Sequence, residues 1–182
     1  AAYFIRLGGC DVGCVWCNVK DSWDASKNPM FTINKIVNKA LIGSPKKKEE
    51  VIAVITGGEP LMHSLDNLTN ELKNKGFKTN IETSGAHPLS GNWDWICLSP
   101  KKFKAPLPQV INAANELKVV IFNKSDFDWA EKYAALVNPE CLLYLQPEWD
   151  KASIVTPLII DYIKQQPKWR LSLQIHKYIN VP

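Results

Sequence analysis

The sequence predicts an α/β fold, a partial (β/α) barrel of about six parallel strands, and three observations predict it. Short apolar runs alternate with segments whose apolar residues recur every three or four positions, the pattern of β-α-β units joined by right-handed crossovers. Each polar motif of note falls directly after an apolar run, at the carboxyl end where parallel sheets keep their chemistry. About six or seven such units in 182 residues are also too few to close an eight-stranded barrel, which takes about 250 residues.

In chain order the strand candidates are "AAYFIRL" (1–7), "VIAVIT" (51–56), "FKTNIE" (77–82), "WDWICLS" (93–99), "LKVVIF" (117–122), "CLLYLQP" (141–147) and "WRLSLQIH" (169–176). Branched and aromatic residues dominate them, as a pleated surface favours. After the first, Thr32 is placed to cap a helix whose apolar face is Ile33, Ile36, Val37, Ala40 and Leu41, with Gly43 ending it. Leu61, Leu65, Leu68 and Leu72 repeat at helical spacing and stop before Gly76. "DFDWAEKYAALV" (126–137) and "SIVTPLIIDYIKQQ" (153–166) supply two more helices. Pro157 is expected in an early turn of the second, where its missing N–H costs least.

With 46% hydrophobic and 22% charged residues, the chain reads as a single domain over 1–182 with a substantial core. No apolar run approaches the roughly 18 residues of a membrane span, and no signal-peptide pattern opens the chain. The expectation is a cytoplasmic protein with no membrane partner. A net charge of +4 is too small to argue for a nucleic-acid partner. "PKKKEE" (45–50) neutralises itself and reads as a loop, while "KKFK" (101–104) is either a solvated face or a contact for an anionic ligand.

Five cysteines are an odd count, and in a reducing compartment they favour metal binding or catalysis over disulfides. Cys97 and Cys141 sit inside apolar runs and read as inert core thiols. The other three lie in "GGCDVGCVWCN" (8–18), a C-x3-C-x2-C spacing with Trp16 beside the last cysteine. Three thiolates on a tight loop suit three irons of a four-iron cluster, leaving the fourth open. They also suit a zinc loop completed by a remote ligand.

The spacing resembles the signature of radical S-adenosylmethionine enzymes, and the resemblance extends to "GGEP" (57–60), one β-α unit further on. It implies a modified radical SAM core in which Cys10, Cys14 and Cys17 hold a 4Fe-4S cluster. Trp16, Gly57, Gly58, Glu59, Ser84, Ser99, Lys101 and Gln146 then fall at positions that bind S-adenosylmethionine, with Glu59 offering an anion to the methionine ammonium. Within that superfamily "CVWCNVKDSW", "ITGGEP", "IETSG", "LSPK", "ELKVV" and "LQPE" resemble the 7-carboxy-7-deazaguanine synthases. The resemblance implies contraction of 6-carboxy-5,6,7,8-tetrahydropterin with loss of ammonia, in queuosine and 7-deazapurine biosynthesis. It also implies substrate contacts at Arg6, Thr56, Glu82, His176 and the carboxylate of Pro182, with Arg6, Glu82 and His176 in the catalytic set.

Two features depart from the family. Asn18-Val19 stands where many members have Asp-Thr beside a magnesium ion, so Mg2+ at Asn18 is expected to be weak, displaced or unnecessary, with Asp21 and Ser22 as possible substitutes or simply a turn. The chain also opens almost inside its first strand, so the segment with which the family walls the pocket is expected to be missing. The family further implies a homodimer and a flavodoxin or ferredoxin-type reductant. The alternatives are a glycyl-radical-enzyme activase, which "QIHK" near a terminal proline argues against, and a non-catalytic iron-sulfur electron carrier, which leaves "GGEP" without a role.

Overall fold

Seven strands lie side by side in chain order, every neighbouring pair parallel, in a sheet whose first and last strands are not joined. The computed structural model describes residues 1–17, 19–45 and 51–179. The strands are β1 (Ala2–Leu7), β2 (Ile52–Gly57), β3 (Lys78–Thr83), β4 (Trp95–Leu98), β5 (Glu116–Ile121), β6 (Leu142–Pro147) and β7 (Trp169–Leu171). The helices are α1 (Ile33–Ile42), α2 (Asp66–Asn74), α3 (Pro108–Ala113), α4 (Asp126–Ala134), α5 (Ala152–Gln165) and α6 (Ile175–Tyr178).

Strand alternation decides which face each residue joins. Ile55, Ile81, Leu98, Leu117, Ile121 and Leu145 are fully buried and meet Val37, Leu72, Val110, Ala130 and Ile159 of the helices in one apolar cluster. The residues between them in sequence, Thr56, Glu82, Lys118 and Gln146, line a cavity on the opposite face. The half-barrel therefore has an oily outside, covered by helices, and a polar inside.

The expected elements are present with some corrections. The sheet has seven strands, one in each of the seven runs marked in the sequence. Thr32 caps α1 by accepting a hydrogen bond from the Lys35 N–H, and Gly43 ends that helix. The leucine repeat at 61–72 is broken: Leu61 sits in a 3-10 turn at Pro60–Met62, and α2 begins only at Asp66. Pro157 lies inside α5, in its second turn. "WRLSLQIH" is not one strand, since β7 ends at Leu171 and His176 belongs to α6. Helix α3 carries only Val110 and Ile111 as buried residues, too brief a periodicity to stand out in the sequence. Residues 46–50, most of the "PKKKEE" run, lie outside the described residues.

The short last strand is held by one carboxylate on α4. Glu131 Oε1 accepts hydrogen bonds from Tyr162 Oη and Trp169 Nε1, both at 2.8 Å, and Oε2 pairs with Lys168 Nζ at 2.5 Å. Burial opposes the charge of Glu131, but these donors outweigh it and hold the carboxyl below its ordinary value. Its contribution to stability is therefore complete above the unfolded-state value of about 4.3 and is lost as pH falls through the lower folded one. Glu131→Ala, which strands the indole N–H of the buried Trp169, is expected to lower stability by about 1–3 kcal/mol at neutral pH. In denaturant melts taken from neutral to acidic pH, the gap between variant and parent should close as the acid side is reached.

Candidate active site

The carboxyl ends of the strands meet around a cavity of about 420 Å³ that receives nearly every described residue singled out in the sequence. Arg6, Cys10, Cys14, Trp16, Cys17, Thr56, Gly57, Gly58, Glu59, Glu82, Ser84, Ser99, Lys101, Gln146 and His176 all line it. Asn18 and Pro182 lie outside the described residues. A separate open hollow beside Thr156, Ile160 and Tyr178 contains none of the motif residues.

Backbone contact between two glycine pairs builds the rim. The Gly58 N–H donates to Leu7 O and the Glu59 N–H to Gly9 O, each at 2.8 Å, so the end of β2 is stitched to the chain entering the cysteine loop. A Cβ at Gly58 would collide with the Gly9 carbonyl, so only glycine permits this approach. Past the seam the loop turns tightly, with the Cys17 N–H donating to Cys14 O at 3.0 Å. Trp23 Nε1 lies 3.4 Å from Cys17 Sγ, and Cys10, Cys14, Trp16 and Cys17 cluster with Val12 and Ala86. Within the loop, Asp11 is gripped by His87 Nε2 at 2.8 Å and Lys104 Nζ at 2.6 Å, which depress its carboxyl pKa.

Glu59 is 2% exposed and fully engaged by the chain itself. Oε1 accepts from the Leu61 N–H at 3.1 Å and Thr83 Oγ1 at 2.5 Å; Oε2 accepts from the Ser84 N–H at 2.8 Å and Ser84 Oγ at 2.5 Å. That is about the full acceptor capacity of a carboxylate. A direct contact with a ligand ammonium, as the sequence suggested, requires one of these bonds to be released. Lys101 Nζ is tied to Ser99 O at 2.7 Å and Ser99 Oγ at 2.5 Å, and stands 5.6 Å from the centre of the Trp16 ring. Burial lowers its pKa.

The "KKFK" cluster divides, with Lys102 and Phe103 exposed and Lys101 turned to the cavity. Lys101 enters the cavity, Lys102 pairs with Asp126 at 2.5 Å, and Lys104 with Asp11. Ser22 makes the turn that was one of its two readings, its Oγ donating to Val19 O at 2.7 Å. Cys97 and Cys141 are buried free thiols, as expected, and burial pushes Cys141 up to about 11. The residue that sequence reading missed is Lys118. It lines the cavity and pairs with Glu82 at 2.7 Å; a lysine in the middle of an apolar run was the available signal.

Among the described residues no three His, Cys, Asp or Glu side chains converge on a point that one ion could occupy. Thiolates of a four-iron cluster stand further apart, each on its own iron, and three cysteines around one cavity without a fourth leave one iron open. The donor set fits such a cluster. An open half-barrel with three cysteines beside a glycine-rich rim defines a radical SAM core.

Comparison with known proteins agrees. The model of the radical SAM superfamily matches residues 4–101. The 7-carboxy-7-deazaguanine synthase of Flavobacterium psychrophilum is 52% identical, covering 100% of this chain and 84% of its own length. That of Synechocystis is 48% identical, covering 99% and 84%. The crystal structure of QueE from Escherichia coli superposes with a TM-score of 0.77 at 31% identity, covering 95% of this chain and 85% of that one. The chain belongs to the 7-carboxy-7-deazaguanine synthase family of radical SAM enzymes. Its cofactors are a 4Fe-4S cluster and S-adenosylmethionine, and nothing supports the activase or electron-carrier alternatives.

Replacing any one of Cys10, Cys14 or Cys17 by alanine should remove most of the roughly four irons per chain after anaerobic reconstitution, while Cys97→Ala and Cys141→Ala retain them. Gly58→Ala should also lose iron although every thiol is intact, because the loop can no longer seat on β2. Iron content per folded chain is the measurement.

Proposed function

We propose that the chain contracts 6-carboxy-5,6,7,8-tetrahydropterin to 7-carboxy-7-deazaguanine with loss of ammonia, for queuosine and related 7-deazapurines. One observation carries the reading: a cation (Arg6), a hydroxyl (Thr56) and a carboxylate (Glu82) stand on adjacent strands in the cavity that holds the three thiols. A carboxylated pterin has a carboxylate for the first and N–H donors for the last.

When bound, the cluster and S-adenosylmethionine supply one-electron reduction and a carbon radical able to take a hydrogen atom from the substrate. The chain's residues bind and orient. Arg6 makes no ion pair among the described residues and rests 5.9 Å from the Phe4 ring, its guanidinium available for a bidentate carboxylate contact. Thr56 Oγ1 donates to Glu82 Oε2 at 3.2 Å, fixing the acid as an acceptor. His176, exposed on α6, lines the same cavity as Trp149 and Leu173. Ser84, Ser99, Lys101, Gln146 and Trp16 are assigned to the S-adenosylmethionine side of the cavity. Asn18 remains the candidate for a weak magnesium contact, and a small flavodoxin or ferredoxin-type protein is the proposed reductant of a homodimer.

Anaerobic turnover with S-adenosylmethionine, a strong reductant and 6-carboxytetrahydropterin should give 7-carboxy-7-deazaguanine by mass spectrometry. Arg6→Met should raise KM at least about tenfold, the loss of one charge-assisted contact, while uncoupled formation of 5'-deoxyadenosine persists. Cofactor cleavage with no deazaguanine product would overturn the substrate assignment.

A further inference from the structure

The geometry points to Lys118 as a positioning residue of this site: its ammonium keeps the Glu82 carboxylate ionised and turned into the cavity, as the acceptor for the N–H edge of the pterin. The inference rests on the pterin reading above. Lys118 lies in the middle of β5 between the fully buried Leu117 and Val119, on the inner face of the sheet. Its Nζ donates to Glu82 Oε1 at 2.7 Å, while Thr56 Oγ1 occupies Oε2. Each oxygen is thus engaged once, and an ionised carboxylate has about four acceptor sites. The Glu82 side chain is 39% exposed and that of Lys118 16%, so the anion stands toward the cavity and the cation behind it. Two lone pairs on two oxygens then meet the paired N–H donors of an aminopyrimidinone. A protonated Glu82 would set an O–H against those donors.

The other groups around Glu82 do not replace Lys118. Cys97, its register partner on β4, is a buried thiol whose pKa burial raises, so it stays neutral. Glu116 on β5 is turned to Trp95 Nε1 at 3.1 Å and Cys97 Sγ at 3.3 Å. Lys101 is tied to Ser99, while Arg6 and His176 line the cavity from β1 and α6. Burial raises the Glu82 carboxyl, yet Lys118, Thr56 and Lys101 together bring it below its ordinary value. Burial likewise disfavours the Lys118 ammonium, but the neighbouring Glu82, by charge and by hydrogen bond, and Glu116 carry its pKa above the ordinary range.

The test is the dissociation constant of 6-carboxytetrahydropterin against pH, using the cluster-loaded chain with S-adenosylmethionine present. The parent and Lys118→Arg should show no loss of affinity through weakly acidic pH from this group. Lys118→Met should bind progressively more weakly as pH falls, because removing an adjacent opposite charge raises a carboxyl by about 1–3 pKa units. In a Glu82→Gln background the same substitution should change affinity by less than about twofold. An equal loss at every pH, or the same loss with and without Glu82, overturns the role. Should Lys118→Met not fold, the infrared difference between parent and Glu82→Gln at neutral pH decides: an ionised carboxylate band supports the inference and a protonated carboxyl band ends it. If the parent chain binds no pterin, the functional reading fails and takes this role with it. If the parent binds it and Lys118→Met binds equally well at all pH, only the role of Lys118 fails.

Discussion

The Glu59 carboxylate is the point at which the active-site rim is assembled. It is buried with no ion pair among the described residues, and four donors from Leu61, Thr83 and Ser84 surround it. Hydrogen bonds to a charged acceptor contribute about 1.5–3 kcal/mol each, so the carboxylate binds the end of β2 to the end of β3 more firmly than neutral contacts would. Its own N–H holds Gly9, and through it the cysteine loop. One residue therefore sets the relative positions of three loops carrying the thiols, Ser84 and the glycine pair. The three cysteines and Ser84 are thereby held in one fixed relation around the cavity. Rigid backbone stitching supplies that more directly than side-chain packing does.

The inner face of the sheet is a consequence of parallel pairing. Arg6 is in register with Thr56, Glu82 with Cys97, and Val120 with Gln146. In a parallel ladder one face is fixed for the whole sheet once the other packs against helices. Polar residues at Thr56, Glu82 and Lys118 would be destabilising in a closed core. Here they are neighbours that satisfy one another across strands, Thr56 to Glu82 and Lys118 to Glu82. The network leaves little unmet hydrogen bonding for a ligand to repair, and gives it a preset acceptor instead.

Much of this was legible in the chain because the chemistry is local. C-x3-C-x2-C, GGEP and the serine after β3 are each a strand end followed by a loop, so position along the chain implies position on the rim. The alternation of Ile55, Thr56 and Gly57, or of Ile81, Glu82 and Thr83, likewise marks the two faces. What did not show was long-range. The pairing of Lys118 with Glu82 spans three strands, and neither residue's neighbours in sequence announce it. The tie of Asp11 to His87 and Lys104 joins segments whose separation in sequence exceeds any local motif. The break at 63–65 in the leucine repeat depends on the Leu65 N–H donating to Ser90 Oγ, another distant contact. The strand-like composition of "LSLQIH" gave no warning that only Leu143, Tyr144 and Leu145 of β6 pair with β7.

Curvature of the sheet follows from where its edges meet. Six strand spacings of about 4.8 Å would put β1 and β7 about 29 Å apart in a flat sheet. Yet Phe4 and Arg6 of β1 line the same cavity as Ser172, Leu173 and Gln174, which directly follow β7. A cavity of about 420 Å³ is far too small to bridge that gap, so the sheet must wrap around it. It wraps without closing, since β1 and β7 are not paired. The cavity it wraps is lined by side chains that include Phe4, Trp23, Trp149 and Leu173. Side chains can part and return at far lower cost than a hydrogen-bonded strand pair. An enzyme that must admit a substrate and then exclude water from a reactive radical has reason to keep these two edges free of backbone pairing.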